Sequence, residues 1–254
     1  MRTRNAAGVM ALCLGLATGL TACGGGEDPD AGTNGVGKLA PATIQDKARA
    51  AARQADAVHL SGSVLSGSAG GQGRSYRIDM RLKKDGGTGR VTSDAGSFEL
   101  LRAGDELFLK ADGTFWNRGD GATGGAGAAG KLNGKYVKVP TGDPAYQQLR
   151  GFTDKNVLLD GLLGLHGKLS RGAHTTVGGV RAIRVNGTDA KGTGGTLDVS
   201  LAGEPYPLRV RRAGGAGQVE LGEWGKDFAL SLPEKGQRVD FGGAGAGSRI
   251  PTGN

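Results

Sequence analysis

The sequence predicts an α+β fold: a strongly curved antiparallel β-sheet, a half-barrel, with a few helices covering its concave face. Two observations carry this. First, apolar and polar residues alternate with period two over many short stretches, as in Tyr76, Ile78, Met80 and Leu82 against Arg77, Asp79, Arg81 and Lys83. One dry and one wet face marks a strand of an antiparallel sheet that is open to water on one side. Second, these stretches follow one another closely across Gly-rich or Asp-Gly turns, with few helical segments between them. Such spacing favours a curled meander over a parallel sheet, whose crossovers need intervening helices.

Along the chain, a first helix is predicted over residues 41–58, on a Thr43-x-x-Asp46 capping box and a stripe of Ile44, Ala48, Ala51, Ala55 and Val58 at helical spacing. Its small side chains predict a close approach to the sheet. Strands are predicted over 58–60, 76–83, 98–101, 106–111, 136–139, 180–185, 197–201, 208–212 and 218–221, with turns such as Lys84-Asp85-Gly86-Gly87 between them. Asp143-Pro144 opens a short helix through Leu149, Asp as N-cap and Pro in the first turn.

A third helix is predicted from Thr153 to near Gly164. It is apolar over most of its circumference, and beyond Asp154 at its start the only charges are Lys155 and Asp160. A helix apolar on several sides can pack on a curved sheet and also line a space beneath it. Val157, Leu158, Leu162, Leu163 and Leu165, together with Ile78 and Met80 of the sheet, are therefore the candidate lining of a hydrophobic cavity. The alternative is an ordinary filled core, which periodicity alone favours.

The first 22 residues are an export signal by composition. Arg2 and Arg4 precede an apolar run over 6–20 that is too short for a comfortable permanent span, and small residues precede Cys23. Leu20-Thr21-Ala22-Cys23 resembles the bacterial lipobox, which implies a diacylglycerol-linked Cys23 as the first mature residue. The only other cysteine, Cys13, lies within the signal, so no disulfide is expected and the exported domain must be held by its core. Residues 23–39 are expected to form the lipidated cysteine and a Gly- and Asp-rich leash, 40–241 a single domain, and 242–254 a disordered tail like the loop 119–130.

With 32 basic and 24 acidic residues, the charge suits an anionic membrane surface or envelope polymer. Aromatic content of 5% and the lack of a binding module argue against nucleic acid. The run GAGAAGKL over 125–132 matches a dinucleotide pattern and nearly a P-loop. It fails on context: Leu132 stands where a hydroxyl should reach magnesium, no strand leads in, and the residues beyond it predict a strand. No nucleophile elbow, zinc motif or paired cysteines are present, and His59, His166 and His174 sit in predicted strands or strand edges. The expectation is a protein that is not an enzyme and holds no metal or cofactor.

The lipobox, the leash, the Ala-rich helix running into VHLSGSV, YRIDMRL, FELLRAGDELFLKA, the turn at Trp116, KYVKVP, GGVRAIRVNG and YPLRVRR together resemble the actinobacterial LppX/LprG-like lipoprotein family, over about residues 40–240. That resemblance implies a half-barrel similar to LolA/LolB-type carriers, with a lipid or lipoglycan bound through its acyl chains, on a protein tethered by lipid to the outer face of the cell membrane. The competing expectation is a surface scaffold with a filled core, whose basic outer face, including Arg77, Arg81, Arg209 and Arg211, meets an acidic polymer or protein.

Overall fold

The period-two alternation is realised as one curved, unclosed sheet. The computed structural model describes residues 28–66, 74–94, 96–117, 130–188 and 194–240; the export signal, Cys23, the start of the leash, most of the glycine-rich loop and P-loop-like run, and the tail lie outside the described residues. In chain order the elements are α1 (Pro41–Gln54), β1 (Ala57–Ser66), β2 (Arg74–Lys83), β3 (Gly86–Ser93), β4 (Gly96–Ala103), β5 (Glu106–Ala111), α2 (Gly113–Asn117), β6 (Tyr136–Val139), α3 (Pro144–Thr153), α4 (Lys155–Leu163), β7 (Lys168–Val177), β8 (Val180–Thr188), β9 (Thr196–Ser200), β10 (Pro207–Arg211), β11 (Gly217–Gly222) and β12 (Arg238–Asp240). The sheet order is β12-β6-β5-β4-β3-β2-β1-β11-β10-β9-β8-β7. Two meanders, β1 to β6 and β7 to β11, are joined where β1 pairs with β11, and all pairings are antiparallel except that of β12 with β6.

Register places the apolar residues of neighbouring strands side by side on the inner face. Leu60, Met80, Gly89, Leu100, Leu109 and Val137 form one row from β1 to β6, and Ile78, Val91, Phe98 and Ala111 the next. Gly89 is required in its row: a Cβ there would fall 2.6 Å from Met80 Sδ and against the Asp79 carbonyl. The glycine gives Met80 the room it fills.

Three helices cover this face, and each departs from its predicted bounds. α1 starts at Pro41 behind Ala40, with no side-chain cap, because the proline places Thr43 inside the first turn. It ends at Gln54, and Val58 belongs to β1. Its buried stripe is Ile44, Ala48, Ala51 and Ala52, small enough to lie close on the sheet. α3 is longer than predicted and absorbs Thr153; the chain breaks at Asp154, whose carboxylate accepts from the amides of Asn156 and Val157 and starts α4 one residue later.

The expected leash is also shortened. Residues 28–38 are docked on the sheet: Asn34 donates through Nδ2 to the carbonyls of Ser200 (3.1 Å) and Gly203 (2.9 Å), Arg171 donates to Gly37 O, and Val36 is 3% exposed. Arg181 adds hydrogen bonds to Pro29 O and Ala31 O. Long-range bonding to the β7–β9 end, invisible in a Gly- and Asp-rich composition, holds this segment.

Candidate functional site

The inner face of the sheet and the α3–α4 pair enclose the region that the apolar third helix pointed to. α4 presents Lys155, Leu159, Leu162 and Leu163 inward, positions separated by four, three and one residues and so on one side of a helix. Leu159, Leu162 and Leu163 join a core cluster with Ile78, Met80, Leu82, Val91, Leu100 and Leu109, and with Tyr146 and Leu149 of α3.

Of the predicted lining residues, Ile78, Met80, Leu162 and Leu163 are buried in this cluster, and Leu158 and Leu165 are half-buried against it. Val157 is 59% exposed and points away. Leu159, at 1% exposure, takes the inward position instead, on the same helix side as Lys155, Leu162 and Leu163. The structure thus places all but Val157 in or against one apolar cluster. Three surface pockets lie elsewhere, beside His59 and Arg81, beside Arg90 and Phe98, and beside Asn186 and Arg211, and these side chains line none of the three.

Toward the β1–β2 and β3–β4 hairpin ends, the cluster is bordered by apolar residues that are only partly covered: Val64, Tyr76, Phe98, Phe115 and Trp116. Phe98 and Phe115 lie 5.4 Å apart between ring centroids, and Trp116 stands edge-on to Phe115 at 5.3 Å. The sequence placed Tyr76 and Phe98 on strands and Trp116 at a turn, without bringing them together.

The α3–α4 pair is held to its surroundings by polar contacts at its corners. Arg102, on the inner face of β4 and 4% exposed, donates to Thr153 Oγ1 (3.1 Å), Thr153 O (2.9 Å) and Gly104 O (2.8 Å). Tyr146 donates to Asp105 O, and the amide of Leu165 to Gln45 Oε1. Asp160 accepts from Arg53 at 2.8 Å and Arg49 at 3.5 Å across to α1. Lys155, 4% exposed, donates from Nζ to the carbonyls of Ala52 and Arg53, each at 2.9 Å. These are last-turn carbonyls of α1, where free acceptors and the negative end of the helix dipole favour a cation.

Burial holds the Lys155 ammonium below the usual lysine range, with Asp56 and Asp154 partly opposing it. The unfolded chain therefore binds more protons than the folded one between that lowered value and the ordinary lysine value, and stability rises with pH across this alkaline window. Urea unfolding of the parent and of Lys155→Met should show the parent gaining stability relative to the variant from neutral into alkaline pH. An unchanged difference would contradict the burial of this ammonium.

The convex face carries the basic residues expected there; Arg81 and Arg209 are engaged in ion pairs within the protein, while Arg77 is exposed. Asp198, fully buried on β9, accepts from Arg184 (Nε to Oδ1, 2.7 Å) and Arg209 (Nε to Oδ2, 2.8 Å) on the flanking strands. Arg81 pairs with Glu223 at 3.2 Å. The histidines are separated: His59 contacts Asp79, His174 contacts Asp30, and His166 precedes β7. Among the described residues no group of three or more His, Cys, Asp or Glu side chains is placed to hold a metal, and no helix is long and apolar enough to cross a membrane.

No protein-family model matches this sequence, and no curated protein matches it. Solved structures do. LprF from Mycobacterium bovis superposes with a TM-score of 0.50 at 15% identity, covering 76% of this chain and 96% of LprF. The chain has the LprF fold. The lipoprotein LppX from Mycobacterium tuberculosis matches with a TM-score of 0.45 at 13% identity, over 75% of this chain and 98% of LppX. The expected likeness to the LppX/LprG-like lipoproteins thus holds at the level of the fold, an unclosed antiparallel half-barrel with helices on one face.

Proposed function

We propose that this chain is an extracytoplasmic lipoprotein, tethered to the cell membrane through lipid on Cys23, that holds the acyl chains of a lipid or lipoglycan between the sheet and the α3–α4 pair and carries them within the envelope. The observation that carries this reading is the burial of Leu159, Leu162 and Leu163 of α4 in one apolar cluster with Ile78, Met80 and the other inner-face residues of the sheet, bordered by partly covered aromatics. An acyl chain can replace these side-chain contacts with equivalent ones. Each buried methylene contributes about 0.8 kcal/mol.

Because α4 packs directly on the sheet, loading requires the α3–α4 pair to lift, and its few polar corner contacts define what must part. The LprF fold and the resemblance to lipid-binding lipoproteins support the same reading.

A second reading, a surface lipoprotein with a permanently filled core, is favoured by the near-complete burial of the inward side chains in one cluster, Leu159 at 1% and Ile78 and Leu163 at 2% exposure. Mass spectrometry separates the two. Protein from a host that lipidates exported proteins should carry a diacylglycerol adduct on Cys23 and, under native conditions, a released non-covalent lipid. A lipidated but otherwise empty protein would favour the filled core, and an unmodified Cys23 would remove the tether.

A further inference from the structure

At the end of the sheet where α4 finishes, a pocket of about 430 Å³ opens between the ends of β8 and β9 and the β10–β11 turn. Asn186, Thr196 and Arg211 are direct cross-strand neighbours on β8, β9 and β10, so their side chains form one row on the convex side. Arg212, the next residue, turns to the opposite side and donates to Gly161 O of α4 at 3.3 Å. All four line the pocket, which therefore straddles the rim beside the helix. Most of the rest of its wall is glycine, with Thr188 and Ala213 beside it. Gly195, Gly214 and Gly215 adopt φ values of 86°, 63° and 73°, and these glycines present main chain with no side chain in the way.

Two features of this pocket are unspent. Thr196 Oγ1 is enclosed and has no hydrogen-bond partner, an arrangement that costs stability unless a ligand supplies one. The charge among the described residues here is also unbalanced. Of the described carboxylates, Arg184, Arg209, Arg211 and Arg212 pair only with Asp198 and Glu220. Asp198 is taken by Arg184 and Arg209, while Arg211 approaches it only to 4.0 Å and donates instead to the neutral Gln218 at 2.8 Å. A planar guanidinium fork with free N–H groups, beside a hydroxyl and an amide, matches a tetrahedral oxyanion.

We infer that this rim pocket binds a phosphate or sulfate group, either as the headgroup of a lipid whose acyl chains lie under α4 or as the free anion. The headgroup source rests on the carrier reading; the anion site itself does not. Equilibrium dialysis of the full-length chain in nonionic detergent against inorganic phosphate should show saturable binding, weakened about ten-fold or more in R211Q/R212Q. Thr196→Val, which replaces an unpartnered hydroxyl by a methyl, should weaken phosphate binding without lowering the melting temperature of the unliganded protein.

Equal phosphate binding by the parent and R211Q/R212Q, or none by the parent, overturns the site. Phosphatidylglycerol and a diacylglycerol with the same chains then distinguish the sources. Tighter phosphatidylglycerol binding that is lost in R211Q/R212Q supports the headgroup. Equal binding of both lipids with saturable phosphate supports the free anion. Phosphate binding with neither lipid bound supports the pocket and overturns the carrier reading alone.

Discussion

Replacing Asp198 by alanine is expected to cost about 3–5 kcal/mol of folding stability, the range for removing one partner of a buried ion pair. The carboxylate is fully buried, while the Arg184 and Arg209 side chains retain 27% and 14% exposure. Truncation leaves two guanidiniums facing each other across β9, and the nearest remaining acid, Glu220, is 3.8 Å from Arg209. The loss comes chiefly from stranded charge and less from the attraction that is removed. Urea denaturation reads it as a lower midpoint at unchanged slope. Asp198→Asn, which keeps an acceptor oxygen, should fall between parent and alanine. A loss below about 1 kcal/mol for the alanine variant would mean that water reaches this site and that the pairing is a surface one.

Leu163→Ala is expected to cost about 2–5 kcal/mol, the range for a leucine truncated in a filled core. Leu163 is 2% exposed and packs in the cluster that holds Ile78 and Met80. Val157→Ala, on the same helix but 59% exposed, should stay within about 0.5 kcal/mol of the parent. The contrast fixes the phase of α4. Equal losses from the two would mean that the helix is rotated and that Val157 faces the sheet. Under the carrier reading, Leu163→Ala also opens space beneath α4, so it should take up a fluorescent fatty acid at least as well as the parent despite its lower stability.

Much of the architecture was legible because a curved antiparallel sheet writes its two faces into alternate residues. β2 is the clearest case, from Tyr76 to Lys83. β3 was hidden for a physical reason. Two of its inward positions are Gly87 and Gly89, where Leu82 and Met80 fill the space, so the strand shows little alternation and Gly86-Gly87 resembles a turn. β7 escaped because it is an edge strand, wet along most of its length, with an irregular register between Arg171 and His174.

The apolar helix was found, but its start was placed at Thr153, which closes α3; with both Val157 and Leu159 apolar, the sequence leaves open which of the two turns inward. Docking of residues 28–38 and the arginine pair around Asp198 depend on partners far along the chain or across the sheet: Asn34 with Gly203, and Asp198 with Arg184 and Arg209. Neither local composition nor periodicity encodes such pairings. In Thr196–Ser200 the aspartate occupies a position that alternation assigns to the wet face, and only the register buries it.

Photo-crosslinking with a diazirine-bearing fatty acid, followed by peptide mapping, tests the acyl-binding claim most directly. The account predicts adducts on inward residues of α4 and the facing strands, Leu159, Leu162, Met80 and Leu100 among them, competed by unlabelled lipid. Adducts confined to the convex face, or insensitive to competition, would contradict it.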